Sequence, residues 1–247
     1  MAYTASLRLY VDTPLAAGVV VDASEAQAHY LLNVTRVAVG ASVLLFNGRD
    51  GEWRAVISVP AKRRVQFTVS EQSRPQKPEP DLWVAFAPVK RMDYIAEKTA
   101  ELGVAALLPV FTQHTAVTRI NVTRLQANAT EAAEQCERLT VPTVHEAVSF
   151  DKLLATWPTS RKLYYLDETG GGMPIAEALL AARAADGRIK PAGFLTGPEG
   201  GFAQSELDAL KQLSFAEPIG LGPRILRAET AALAAVACWQ ALLGDWA

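Results

Sequence analysis

The chain has 247 residues, of which 50% are hydrophobic and 20% charged. That is enough for one large or two ordinary domains with a sizeable core. The formal charge of -2 gives no global attraction to nucleic acid, so an RNA site has to come from local placement of Arg and Lys. Cys136 and Cys238 lack CxxC spacing, and neither a long apolar run nor a signal-like leader is present. Disulfide, zinc and membrane classes are thereby excluded, and a soluble, cytoplasmic protein without a metal is expected.

Residues 1–72 alternate as short strands do: "SLRLYV", "GVVVDA", "SVLLFNGRDGEWRAVISV" with a hairpin turn at "NGRDGE", and "RVQFTVSE". One helical segment, "SEAQAHYLLNVTRV", interrupts them, with Ser24 placed to cap its first turn. The stretch "SRPQKPEP" at 73–80 holds three prolines among polar residues and is predicted to be a linker. From 81 to 247 apolar runs alternate with amphipathic helices. This βαβα pattern predicts an α/β domain with a mostly parallel sheet.

In that second domain "LTGPEGGFAQSE" packs three glycines and a proline into residues 197–201. A strand, "AGFLT", precedes the loop, and a helix follows in which Ser205 and Asp208 form a candidate capping pair. The loop carries no P-loop lysine and lacks GxGxxG spacing, so a phosphate is not the default ligand. A second glycine loop, "LGPR" at 221–224, also ends a predicted strand. Ligands of open parallel sheets bind at such carboxyl ends, so the two loops are expected to wall one pocket. The last helix begins beside Arg224, Arg227, Glu229 and Thr230 and continues into "AALAAVA", which can pack closely.

Taken together, "LTGPEGGF" and "LGPRILRAETA" resemble the C-terminal signature of the RsmE family. These are SPOUT-class methyltransferases that act on N3 of a uridine in 16S ribosomal RNA. "KRMDYIAEKTAELGV" at 90–104, "EAAEQCERLTVP" at 131–142 and "HYLLNVTRVAVG" at 29–40 extend the resemblance over nearly the whole chain. One departure is His114, where an arginine is expected in most relatives.

The resemblance implies a PUA-like β-barrel over 1–72 and a SPOUT domain with a C-terminal trefoil knot over 81–247. It also implies a homodimer and ribosomal RNA, or the small ribosomal subunit, as partner. S-adenosylmethionine would sit against Leu166, Thr196, Gly197, Pro198, Glu199, Gly200 and Gly201. Leu221, Gly222, Ile225 and Leu226 would form the opposite wall, with Glu229 and Thr230 beside them. In this picture the glycines let peptide groups approach the cofactor.

A sulfonium methyl is already electrophilic, so the protein has mainly to orient the acceptor and help it lose a proton. Arg227, or Arg224, is the candidate to stabilise the uracil anion. Because N3 lies on the Watson–Crick edge, the base has to be unpaired or flipped out. Arg8, Arg36, Lys62, Arg63 and Arg64 are the candidate phosphate contacts of the first domain. A ribose 2'-hydroxyl as acceptor, or a non-catalytic RNA-binding protein, is the competing reading.

Overall fold

In the computed structural model, which describes residues 7–61, 64–183 and 190–247, the chain divides into two units. One comprises the described residues up to Pro78 together with Ala133–Val141, and the other comprises Glu79–Ala132 and Pro142–Ala247.

The smaller unit holds β1 (Arg8–Tyr10), β2 (Val20–Asp22), α1 (Glu25–His29), β3 (Ser42–Phe46), β4 (Glu52–Ala61) and β5 (Arg64–Arg74). Ser24 caps α1 as expected: its Oγ accepts from Gln27 N at 3.2 Å, and Gln27 Oε1 returns the bond to Ser24 N at 3.0 Å. A π-helical turn, Tyr30–Val34, continues the helix. The sheet runs in the order β1-β3-β4-β5-β2, antiparallel except for the β1–β3 pair. Leu9 of β1 and Val21 of β2, on opposite edges, belong to one core with Val43, Ile57, Phe67 and Leu31. The sheet therefore curls around that core, as a PUA-like module does. Strand β5 extends through Ser73 and Arg74, so the proline-rich stretch contributes two residues to the sheet before it leaves it.

The larger unit alternates as predicted. Its elements are β6 (Leu82–Phe86), α2 (Met92–Glu101), β7 (Ala106–Phe111), α3 (Val122–Gln135, whose last three residues are grouped with the smaller unit), β8 (Thr143–Val144), β9 (Val148–Ser149) and α4 (Phe150–Thr156). There follow β10 (Lys162–Leu166), β11 (Met173–Pro174), α5 (Ile175–Ala182), β12 (Ala192–Thr196), α6 (Gln204–Lys211), β13 (Ala216–Gly220) and α7 (Ala228–Leu242). Strand order is β11-β13-β10-β12-β6-β7-β8, with β9 on β7, and every ladder is parallel.

A sheet covered on both faces needs apolar residues on both sides of each strand. Leu82, Val84 and Phe86 of β6 pack with residues of α2, α3, α5 and α7, whereas Ala85 faces α4 and α6. The chain enters at β6 in mid-sheet, builds out to β8, returns with β10 and inserts β12 between β10 and β6. After β13, α7 comes back to pack on β12, α2 and α5, the return that a knotted tail requires. No helix of the described residues is long and apolar enough to cross a membrane.

Candidate active site at the carboxyl edge of the sheet

Leu166, Thr196 and Gly220 end three neighbouring strands, and Phe86, paired with Thr196, ends a fourth. Alternation along β12 puts Thr196 on the same face as Phe194, the face covered by α7. Leu166, Leu221 and Leu226 belong to or pack against that same cluster, so they line one side of the sheet with the start of α7. Thr196 is 3% exposed, and its Oγ1 has no hydrogen-bond partner. An orphaned buried hydroxyl costs about 1–3 kcal/mol, which marks a place where a polar ligand is accommodated.

The glycine loop has a different reason for its composition than ligand approach alone. A Cβ on Gly197 would lie 3.1 Å from the Phe202 ring, and one on Gly200 would lie 3.2 Å from the His114 Cβ. Gly201 has φ +69, and a Cβ there would lie 2.0 Å from Glu168 Oε1. The bare backbone accommodates protein on the side-chain side of the loop, and the carbonyls of Gly200 and Gly201 lie 3.2 and 3.1 Å from His114 Nδ1. Gly222, with φ +89 and open space around its Cα, is the glycine that leaves room beside it. Pro198 is buried, Glu199 and Gly200 are exposed, and Ile225 is 87% exposed.

Arg227 is the residue before α7, with extended backbone (φ -66, ψ 152), and its side chain makes no cap. Arg224, Arg227 and Thr230 are exposed, whereas Glu229 in the first turn is 6% exposed and faces Arg91 Nη1 at 3.7 Å. Arg91 and Lys90 follow β6, and exposed Arg119 follows β7. The carboxyl edge thus gathers cations from three loops. Sequence reasoning missed Lys90, Arg91 and Arg119 as part of this edge, although strand order alone puts their loops there.

Two other features of this edge were overlooked. The run Gly170, Gly171, Gly172 follows β10, and a Cβ on Gly172 would lie 2.5 Å from the Ile219 carbonyl carbon, so β11 meets β13 only because Gly172 has none. The capping pair expected at Ser205 and Asp208 is not formed. Glu206 Oε2 instead accepts from Ala203 N at 2.9 Å, and Asp208 accepts from Gln204 Nε2 at 2.8 Å.

The candidate RNA contacts of the smaller unit fare unevenly. Arg8 is 7% exposed, and its guanidinium donates to Glu52 and to the carbonyls of Ala133, Glu134 and Arg138 at 2.6–3.0 Å. These carbonyls lie in 133–141, the segment grouped with the same unit, so Arg8 is a buried clasp within that unit and not an exposed phosphate contact. Arg64 is exposed and pairs with Asp22 at 3.2 Å. Arg36 is exposed, with a left-handed φ of 51°. Lys62 and Arg63 lie outside the described residues. Among the described residues no group of three or more His, Cys, Asp or Glu is arranged to hold a metal.

A model for an RNA methyltransferase domain matches residues 75–240, and one for an RNA methyltransferase PUA domain matches residues 24–70. The ribosomal RNA small subunit methyltransferase E of Rickettsia conorii is 31% identical over 93% of both chains. The chain belongs to the RsmE family. A Synechocystis member is 32% identical over 98% of this chain and 80% of its own. Among solved structures, a putative methyltransferase from Legionella pneumophila in complex with S-adenosylmethionine superposes with TM-score 0.82 at 26% identity, covering 96% of this chain and 97% of its own. The methyltransferase E of Neisseria gonorrhoeae, also bound to S-adenosylmethionine, gives 0.81 at 27% identity, covering 98% and 100%.

Proposed function

We propose that this RsmE-family chain methylates N3 of a uridine in small-subunit ribosomal RNA, using S-adenosylmethionine bound at the carboxyl edge of β10, β12 and β13. The observation that carries the reading is the coincidence, at one sheet edge, of the orphaned Thr196 hydroxyl, the open space beside Gly222 and the two arginines leading into α7. The residues present fit the cofactor. Leu166, Leu221 and Leu226 supply apolar contact for an adenosyl group, and Thr196 Oγ1 has a free hydrogen-bonding capacity. When bound, S-adenosylmethionine supplies a methyl group on a cationic sulfur.

The chain's own residues then have two tasks, to hold the base and to favour its deprotonated form. Uracil N3 is a weakly acidic imide, and its anion places charge on the two flanking carbonyl oxygens. Arg227, exposed at the entrance to α7, directs a permanent cation toward that charge, with Arg224 three residues upstream. Lys90, Arg91 and Arg119 are placed to meet phosphates around the flipped nucleotide, and Arg36 is a separate candidate phosphate contact on the PUA-like module. Glu229 pairs with Arg91 and belongs to the framework of the site. The small unit and the methyltransferase unit are taken as the two domains, with the segment after Arg74 as their linker.

A homodimer is part of this reading. α7 buries Ala231, Ala232, Ala235, Val236 and Trp239, while Leu233, Ala234 and Ala237 on the other face stay only partly covered. Light scattering of the full chain tests this, and a monomer at micromolar concentration refutes it. The chemistry is tested by mass spectrometry of small-subunit RNA nucleosides from cells lacking the protein. Loss of N3-methyluridine is expected. Loss of a 2'-O-methylated nucleoside would transfer the activity to a ribose, and an unchanged profile with no S-adenosylmethionine binding would leave a binding protein.

A further inference from the structure

The loop after β7 (112–119) and the glycine loop after β12 (197–203) are joined by contacts that the proposed chemistry does not use. Glu206, in the first turn of α6, is 7% exposed. Its Oε2 accepts from Ala203 N and its Oε1 from Gln113 N, each at 2.9 Å. Capping α6 needs only the Ala203 bond. The Gln113 bond, to a residue 93 positions away, has no part in a cap. Beside it, His114 Nδ1 lies 3.2 Å from the Gly200 carbonyl oxygen and 3.1 Å from that of Gly201. The far side of the same loop is held by Glu168, whose Oε1 accepts from Phe202 N at 3.3 Å.

We propose that Glu206 is a positioning residue that locks the loop after β7 to the glycine loop, so that ordering either one orders the other. A buried carboxylate taking one backbone N–H on each oxygen makes two charge-assisted bonds, and its removal leaves both donors without their partner, Ala203 N in a buried setting. The inference rests on reading 197–203 as part of the cofactor site. Because loop 112–119 carries the exposed Arg119, a ligand on the glycine loop and RNA on the neighbouring loop favour each other's binding by the same factor.

Hydrogen–deuterium exchange on the full chain tests this without requiring turnover. In Glu206→Gln only one oxygen remains to accept, and an amide N–H faces the other backbone donor. Without ligand, exchange should rise ~10-fold or more in peptides covering both 112–116 and 197–203. Ser149→Ala removes the cap of α4 in the same unit and serves as the stability control. It should lower the melting temperature without changing either loop. Added S-adenosylmethionine should slow exchange at 112–116 in the wild type and not in Glu206→Gln. Faster exchange confined to 197–203 would reduce Glu206 to a helix cap and overturn the proposal. If the wild type binds no S-adenosylmethionine, the cofactor reading fails while the ligand-free comparison still decides the lock. Should Glu206→Gln fail to fold, His114→Ala takes its place, because His114 is exposed. Faster exchange at 197–203 supports the lock, and unchanged exchange there overturns it.

Discussion

In the smaller unit five arginines face carboxylates: Arg8 and Arg74 share Glu52, while Arg49, Arg54 and Arg64 pair with Asp12, Glu71 and Asp22. At the carboxyl edge of the parallel sheet, by contrast, Lys90, Arg119, Arg224 and Arg227 are exposed and pair with no acid among the described residues. Composition cannot separate the two cases, since arginine contributes the same charge in both. Under the proposed function, the charge that an overall acidic protein offers to RNA depends on which cations are left without an internal partner. The PUA-like unit pairs five of its arginines with carboxylates, whereas the larger unit pairs Arg91, Arg124 and Arg161 but leaves Arg119, Arg224 and Arg227 exposed at one sheet edge.

The largest effect that tests this contrast is on stability. Arg8→Ala would leave the Glu52 carboxylate short of a buried partner and strip the carbonyls at the end of α3 of their cap. Removing one partner of such a buried pair costs about 3–5 kcal/mol. Denaturant unfolding should register the loss, and Arg8→Lys should not restore it, because one ammonium cannot reproduce a fork bonded to a carboxylate and three carbonyls. A stable Arg8→Ala protein with weakened RNA binding would return Arg8 to the surface role first expected of it.

Next in size is the effect at Arg227, on rate. If its cation stabilises the uracil anion, Arg227→Ala should slow single-turnover methylation by ~100-fold or more while S-adenosylmethionine affinity and melting temperature stay near wild type. Normal turnover in this variant would shift the role to Arg224. A lost fold would instead put Arg227 in the same class as Arg8, and the contrast between the units would fail.

Much of this was legible in the sequence. The βαβα alternation and the two glycine loops follow from local periodicity and turn chemistry, and Ser24 caps its helix as its spacing predicts. What escaped was set by partners distant in the chain. Arg8 alternates along β1 like a surface residue, and only carbonyls 125–130 positions away reveal that it is buried. Glu206 sits among other polar residues of a first turn, and the partner of its second oxygen, Gln113 N, lies 93 positions away. Helix α4 and strands β8, β9 and β11 are too short for a period to register. The glycines at 197, 200 and 201 are explained in part by neighbours the sequence does not show, Phe202, His114 and Glu168.

A smaller effect concerns pH. Burial alone would raise the Glu52 carboxyl, yet hydrogen bonds from Arg74, Arg8 and Ser73 outweigh it and hold the group below the ordinary glutamate range. A carboxyl whose folded value is depressed stabilises the fold above its unfolded value and loses that contribution as pH falls through the folded one. Acid unfolding followed by circular dichroism should therefore steepen from about pH 4.5 downward in the wild type. Glu52→Gln should be less stable at neutral pH and lose less stability over that acid range. An equally steep acid limb in Glu52→Gln would place the titrating group elsewhere.

The smallest change addresses the comparison most directly. Every phosphate that a variant no longer neutralises should lower the slope of log affinity against log salt by up to about one unit. Lys90→Ala and Arg119→Ala, at the sheet edge, should each flatten the slope for a small-subunit RNA fragment in this way. Arg54→Ala and Arg64→Ala should not, since Glu71 and Asp22 already answer those charges, and exposed pairs of this kind are worth only about 0–1 kcal/mol to stability. Removing a paired arginine also frees its acid, which adds a repelling charge without changing how many phosphates the protein neutralises, so a weaker affinity with the slope intact is consistent with the contrast. Arg36, exposed and with no acid partner among the described residues, should behave like the sheet-edge cations although it belongs to the smaller unit. A flattened slope for Arg64→Ala with none for Arg119→Ala would reverse the assignment and make the curled sheet the main RNA grip.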